Sequence, residues 1–189
     1  MKIGVYVGSF NPPHYGHING AKYLIDNGYV DKVLLLPAPN YWDKQNLVSM
    51  QHRLNMLKFY ENENIIVDNI HNNYPYTYEV IEALEKDYPR DELYLIIGAD
   101  NLEKFHLWKR LNIIFKHHVI VLNREDINID NYLEQFDKSR FIIVKGYKLD
   151  VSSTIIRNDL NNVYLNENVR KYIINNNLYK EKEWLTKCI

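Results

Sequence analysis

Two histidines three positions apart, His14 and His17, sit around Gly16 in the stretch YVGSFNPPHYGHINGA, residues 6–21. Imidazole rings serve as hydrogen-bond donors, proton carriers and metal ligands. A spacing of three keeps both on one face if the first turn of a helix begins there. The stretch follows an apolar run and leads into an amphipathic one, so it reads as a strand-to-helix connection. Helix N-termini carry unsatisfied backbone N–H groups that attract phosphate. Gly8 and Gly16, lacking Cβ atoms, would let backbone approach such a ligand closely. On this reading His14 and His17 donate from ring nitrogens to phosphate oxygens. Plain surface-loop histidines are the ordinary alternative. A metal pair is unattractive, because no third ligand lies close in sequence and the single cysteine, Cys188, is one residue from the end. Nor is this a Walker loop, since no G-K-[ST] follows the glycines.

Such a loop needs a frame. Apolar runs at 2–7, 31–37, 64–70, 92–100, 117–124 and 140–146 predict six buried strands. Helical periodicity is expected over about 17–27, 50–61 and 77–87, and from 151 the chain looks helical to its end. Continuous apolar strands alternating with helices indicate an α/β fold: a Rossmann-like, doubly wound parallel sheet in a three-layer α/β/α arrangement. Ligands of such sheets bind beyond the carboxyl ends of the strands. Polar clusters stand there at 8–17, 37–44 and 98–100. That coincidence singles out one end of the sheet.

Composition narrows the classes further. The chain has 189 residues and is 46% hydrophobic, enough for one domain with a full core over 1–189. The formal net charge of −1 speaks against a nucleic-acid partner, which would call for a basic face. No stretch approaches the roughly 20 apolar residues of a membrane span, so no membrane partner is expected. MKIGVYVG lacks the pattern of a signal peptide, and one cysteine fits a reducing, cytoplasmic setting. A homo-oligomer is left open. His52, His71 and His106 belong to no motif of their own.

GSFNPPHYGH resembles the G-x-F-[DN]-P-x-H-x-G-H signature of the nucleotidylyltransferase superfamily. VSSTIIR, residues 151–157 in the C-terminal helical part (151–189), resembles that superfamily's [IV]-S-S-T-x-[IV]-R signature. Within the superfamily the chain is most similar to the bacterial nicotinate-nucleotide adenylyltransferase family. LLLPAPNYWDKQNLVSMQHRLNMLK, LIIGADNLEKFHLWKRL and NVRKYIINNNLY each resemble a segment of it. Departures are Val7 for a glycine, Asn11 for the usual aspartate, and Asp43 where histidine is common.

The resemblance implies adenylyl transfer from ATP to nicotinate mononucleotide, giving nicotinate adenine dinucleotide and pyrophosphate in NAD biosynthesis. It implies that His14 and His17 hold the α/β-phosphates and, with Arg157, stabilise the transition state. An ATP site of Gly8, Ser9, Phe10, His14, Gly16, His17, Gly98, Asp100, Ser153, Thr154 and Arg157 follows. Lys44, Arg53, Thr77 and Trp108 would meet the mononucleotide, and Mg²⁺ would arrive with ATP. Each has a plainer alternative: a capped helix with Ser153 or Thr154 as cap, a solvated Lys44, a surface ion pair at Arg53, a core aromatic at Trp108. Rival activities are the same chemistry on nicotinamide mononucleotide or on both substrates. Phosphopantetheine adenylyl transfer and a silent nucleotide-binding protein rank lower.

Overall fold

The apolar runs do form strands, most of them shorter than the run, while β1 extends one residue past its own. A computed structural model of the chain describes residues 1–39, 47–123, 128–145 and 151–179. The strands are β1 (Lys2–Gly8), β2 (Lys32–Pro37), β3 (Ile65–Val67), β4 (Glu92–Gly98), β5 (His118–Leu122) and β6 (Phe141–Val144). They make one parallel sheet in the order β3-β2-β1-β4-β5-β6. The order reverses between β1 and β4, which is where a doubly wound sheet opens a crevice. Interleaved are the helices α1 (Tyr15–Asp26), α2 (Met50–Leu57), α3 (Thr77–Asp87), α4 (Leu111–Ile114), α5 (Asp130–Leu133), α6 (Ser153–Asn158) and α7 (Glu167–Asn175).

Alternate residues of each strand serve opposite faces. Tyr6, Val33, Leu35, Ile96 and Ile120 pack with Ile18 and Leu24 of α1, Leu57 of α2, Ile156 of α6 and Ile173 of α7. On the other face Ile3, Val5, Leu34 and Leu36 meet Val80, Ile81 and Leu84 of α3. Leu95, Ile97, Val119 and Val121 meet Leu102, Phe105, Ile114 and Leu133. Fully burying one such side chain contributes roughly 1.5–3 kcal/mol, and strands buried on both faces explain why they read as unbroken apolar runs. The three-layer expectation is met. No helix among the described residues is long and apolar enough to cross a membrane.

The structure departs from the sequence expectation in two places. After β4 the chain tightens into a 3₁₀ stretch, Ala99–Leu107, rather than continuing as strand to Asp100. And the C-terminal part is not continuously helical: 159–166 separates α6 from α7. Side chains there bond their own backbone, Asp159 Oδ1 accepting from Asn161 N–H and Asn162 Oδ1 from Tyr164 N–H. Asp and Asn compete with the helix in this way and break it. Asn166 then restarts it as the N-cap of α7.

Candidate active site

β1 ends at Gly8, level with Pro37 of β2, and two residues past the Tyr6–Ile96 pairing it stands level with Gly98 of β4. The turn that follows is tightly constrained. Phe10 adopts φ 46° and the Asn11–Pro12 bond is cis. A left-handed aromatic residue costs about 1–3 kcal/mol and persists only where its surroundings hold it. Here the Phe10 ring is buried, edge-on to Tyr6 at 5.5 Å and to His17 at 5.0 Å. Phe10, expected at the ATP site, therefore contributes a buried wall behind His17. Its side chain faces the core, because a ring at a left-handed position turns inward where apolar contacts compensate the strain.

His14 caps α1. Its Nδ1 accepts from Gly16 N–H at 3.1 Å, while His17 Nδ1 accepts from His14 N–H at 3.3 Å. This is a reciprocal capping arrangement made by imidazoles in place of the usual hydroxyl and carboxylate. It also assigns the tautomer. A ring nitrogen that accepts carries no proton, so each neutral imidazole holds its N–H at Nε2. The two rings lie 3.9 Å apart, tilted by 36°. The pair thus forms one unit of rings in contact, His14 fully buried and His17 half-buried.

Gly16 has a packing reason that the sequence did not show. A Cβ there would come within 2.7 Å of the His14 ring and of Val151 Cγ1. Its missing side chain makes room for His14 and for the second motif. At Gly98 a Cβ would collide with the Asp100 carboxylate. That glycine lets the exposed Asp100 fold back over the end of β4.

The second motif docks on the first. Ser153 Oγ donates to Pro12 O at 2.9 Å, and Arg157 Nη1 donates to Asn11 O at 2.7 Å. Arg157 Nη2 also donates to Thr154 Oγ1 at 2.9 Å. A guanidinium has five N–H donors, so these bonds leave capacity for an anion. The helix cap is Ser152, whose Oγ accepts from Ile155 N–H at 3.3 Å, so neither Ser153 nor Thr154 plays that part. Ser152→Ala should lower stability by about 1 kcal/mol, read as a drop of about 2–4 °C in a thermal melt.

Arg53 is the clearest correction. It is not on the surface and forms no exposed ion pair there: the side chain is 0% exposed. Nη1 donates to Ser9 O at 3.0 Å and Ala38 O at 2.7 Å, and Nε donates to Val48 O at 3.2 Å. Burial lowers the proton affinity of this guanidinium. These donors all go to backbone carbonyls, so the exposed ion pair is not the arrangement found. Lys44, like Asp43, lies outside the described residues.

Thr77 begins α3, and Trp108 ends the 3₁₀ stretch, half-buried with its ring 4.9 Å from Phe105. Their neighbours meet. Lys109 Nζ donates to Tyr76 Oη at 2.8 Å and lies 4.1 Å from that ring's centre, while the Arg110 guanidinium lies 5.6 Å from the Tyr78 ring. The hydrogen bond to Tyr76 raises the proton affinity of Lys109, so this edge carries two cations. Residue spacing did not reveal this ladder of Tyr76, Tyr78, Lys109 and Arg110. The alternating tyrosines and the paired cations after Trp108 were its signal. Two more residues went unnoticed: Tyr179, whose Oη donates to Asn11 Oδ1 at 2.8 Å, and Tyr60, whose Oη donates to Pro13 O at 3.4 Å. Among the described residues no three His, Cys, Asp or Glu side chains are grouped to hold a metal ion.

The Cytidylyltransferase-like family matches residues 5–159. A protein of Borrelia garinii subsp. bavariensis named "Probable nicotinate-nucleotide adenylyltransferase" is 34% identical over 196 residues, covering 96% of each chain. One of the same name from Flavobacterium psychrophilum is 31% identical, over 96% of this chain and all of its own. Among solved structures, the Plasmodium falciparum nicotinic acid mononucleotide adenylyltransferase complexed with NaAD shares the fold, with a TM-score of 0.78 at 21% identity. That alignment covers 94% of this chain and 97% of the other. Two motifs that meet at the switch point of the sheet, and relatives matched from end to end, place this chain in the Cytidylyltransferase-like family, among the nicotinate-nucleotide adenylyltransferases.

Proposed function

We propose that the protein joins ATP and nicotinate mononucleotide into nicotinate adenine dinucleotide, releasing pyrophosphate. The observation that carries this is the docking of Ser153 and Arg157 onto the turn that bears His14 and His17. Residues more than 130 positions apart thereby converge as donors at the carboxyl ends of β1 and β4.

The reaction needs no protein nucleophile. A non-bridging oxygen of the mononucleotide phosphate attacks the α-phosphorus of ATP. The bond from that phosphorus to the bridging oxygen breaks, and pyrophosphate departs with the electron pair. What the protein must supply is alignment of two polyanions and stabilisation of the charge that builds on the equatorial oxygens. Nε2–H groups of His14 and His17 act there as fixed donors. Their rings are held by bonds to backbone N–H groups, so little reorganisation is needed as charge develops. Arg157, steadied by Asn11 O and Thr154, neutralises the leaving β/γ-phosphates together with the start of α6. Gly8, Ser9 and Gly98 line the floor, and Asp100 accepts from ribose hydroxyls. ATP enters as its Mg²⁺ complex, the ion riding on the triphosphate and water. We assign the activity to the cytoplasm, where ATP is held.

Thr77 and Trp108 take the pyridine ring, with Lys44 on the mononucleotide phosphate. Lys109 and Arg110 on the Thr77–Trp108 edge favour a ring bearing a carboxylate over one bearing an amide. A side-by-side assay of the two mononucleotides with Mg²⁺ and ATP tests this. Pyrophosphate release is expected with the nicotinate form, at least about ten-fold faster in kcat/KM, the carboxylate being drawn to the two cations where the amide is not. Equal or better use of the amide overturns the specificity, and release with neither overturns the activity.

A further inference from the structure

We infer that Arg53 is a positioning residue for adenylyl transfer, holding the Ser9–Phe10 peptide so that the Phe10 ring sets the orientation of His17. The inference rests on the proposed activity for its kinetic part and on geometry alone for the rest.

The chain of contacts is short and continuous. Arg53 Nη1 grips Ser9 O, the carbonyl of the peptide unit whose nitrogen belongs to Phe10. That peptide precedes the strained φ of 46°. Left to itself, such a residue relaxes to an ordinary extended or right-handed backbone. Relaxation would swing the Phe10 ring, which stands edge-on 5.0 Å from the His17 ring. The same nitrogen grips Ala38 O just beyond β2, so the turn is referenced to the sheet rather than to another loop. Nε grips Val48 O, and Val48 N–H donates to Asn11 Oδ1 at 3.2 Å, closing a second path onto the turn.

Only arginine suits this geometry. Its planar fork reaches several carbonyls from one rigid group, while a lysine ammonium is a compact, strongly hydrated point charge. Enclosing a guanidinium against carbonyls is costly in desolvation. An apolar residue would fill the space with less penalty, so the donor geometry itself is what the position requires. Neighbouring carbonyls are held in the same manner from other elements: Asn11 O by Arg157, Pro12 O by Ser153, Pro13 O by Tyr60. Arg53 is the member of this set that acts on the strained residue.

Arg53→Lys in the full chain tests the idea, with Phe10→Leu as a partner that leaves Arg53 in place. Two readouts are taken well below the melting temperature: steady-state kinetics with both substrates, and the imidazole ¹⁵N–¹H spectrum without nucleotide. Arg53→Lys should lose about 10–10²-fold in kcat, the cost of misplacing a donor by an ångström or less. KM for the mononucleotide should stay within about three-fold, since Arg53 is not expected to touch it. The His17 ring signals should shift in both variants. A raised mononucleotide KM with normal kcat would mean direct contact and overturn the inference. So would normal kcat per folded molecule together with an unmoved His17 spectrum. If the wild-type chain proves inactive, the proposed activity falls, and the His17 spectrum alone decides the positioning role. If Arg53→Lys does not fold, Phe10→Leu decides: unchanged kcat and an unmoved His17 signal reject the relay.

Discussion

His17→Ala lowers turnover 10²–10³-fold, about 2.7–4 kcal/mol of transition-state stabilisation, while the protein stays folded. The magnitude follows from the site's construction. His17 presents Nε2–H because its Nδ1 is occupied by the His14 backbone, and Phe10 backs the ring. Deleting it removes a donor already aimed, and water entering the gap must reorganise as charge develops. The stability cost is smaller. One arm of the cap is lost, about 1 kcal/mol, and the half-buried ring leaves a space open to solvent. Pyrophosphate release and circular dichroism on the same sample separate the two effects. A variant that turns over at the wild-type rate would remove His17 from the mechanism. His14→Ala should cost more stability for a similar loss of rate, because that ring is wholly enclosed.

Gly16→Ala has the second-largest expected effect, and it acts on both fold and chemistry. The added methyl lies 2.7 Å from the His14 ring on one side and from Val151 on the other. Neither neighbour can yield freely. His14 is fixed by the Gly16 N–H bond, and Val151 leads directly into the Ser152 cap of α6. Overpacking of this kind costs about 1–3 kcal/mol, or roughly 2–12 °C in melting temperature. The chemical effect should be larger than the thermal one suggests, since the methyl pushes His14 and Arg157 apart. A loss of about 10²-fold in kcat is expected from a displacement near 1 Å. Gly28→Ala is the control. Gly28 has φ 70° with nothing within 4 Å of a built Cβ, so that change carries only the backbone penalty of about 1–2 kcal/mol. Its kcat should match wild type. A Gly16→Ala enzyme with normal kcat would show that the two motifs need not be in register.

Local pattern made much of this legible. Six apolar runs became six strands because a parallel sheet buries both faces, and burial is recorded residue by residue in the sequence. The α3 boundaries, Thr77 to Asp87, follow its apolar stripe of Val80, Ile81 and Leu84. Strand ends and the 159–166 break were less visible, since a strand stops where its partner stops and β3 pairs along only part of β2. At the site, the histidine pair and the SSTIIR cluster stood out by residue type. The burial of Arg53 was not legible for a plain reason: a charged residue on a helix is usually solvated, and nothing nearby in sequence announces the carbonyls that it meets.

What the amino-acid sequence determined by itself was the class of fold, the end of the sheet where the two motifs meet, and the donor groups gathered there. All three follow from periodicity and residue type, which act over a few neighbouring positions. Tertiary structure alone decided which ring nitrogen carries the proton, why position 16 tolerates no side chain, and that Arg53 faces inward. Those properties depend on contacts such as Arg157 with Asn11 and Tyr179 with Asn11, made across 146 and 168 residues. A hydrogen bond requires an acceptor at a given place in space, and only the folded chain brings such distant atoms there.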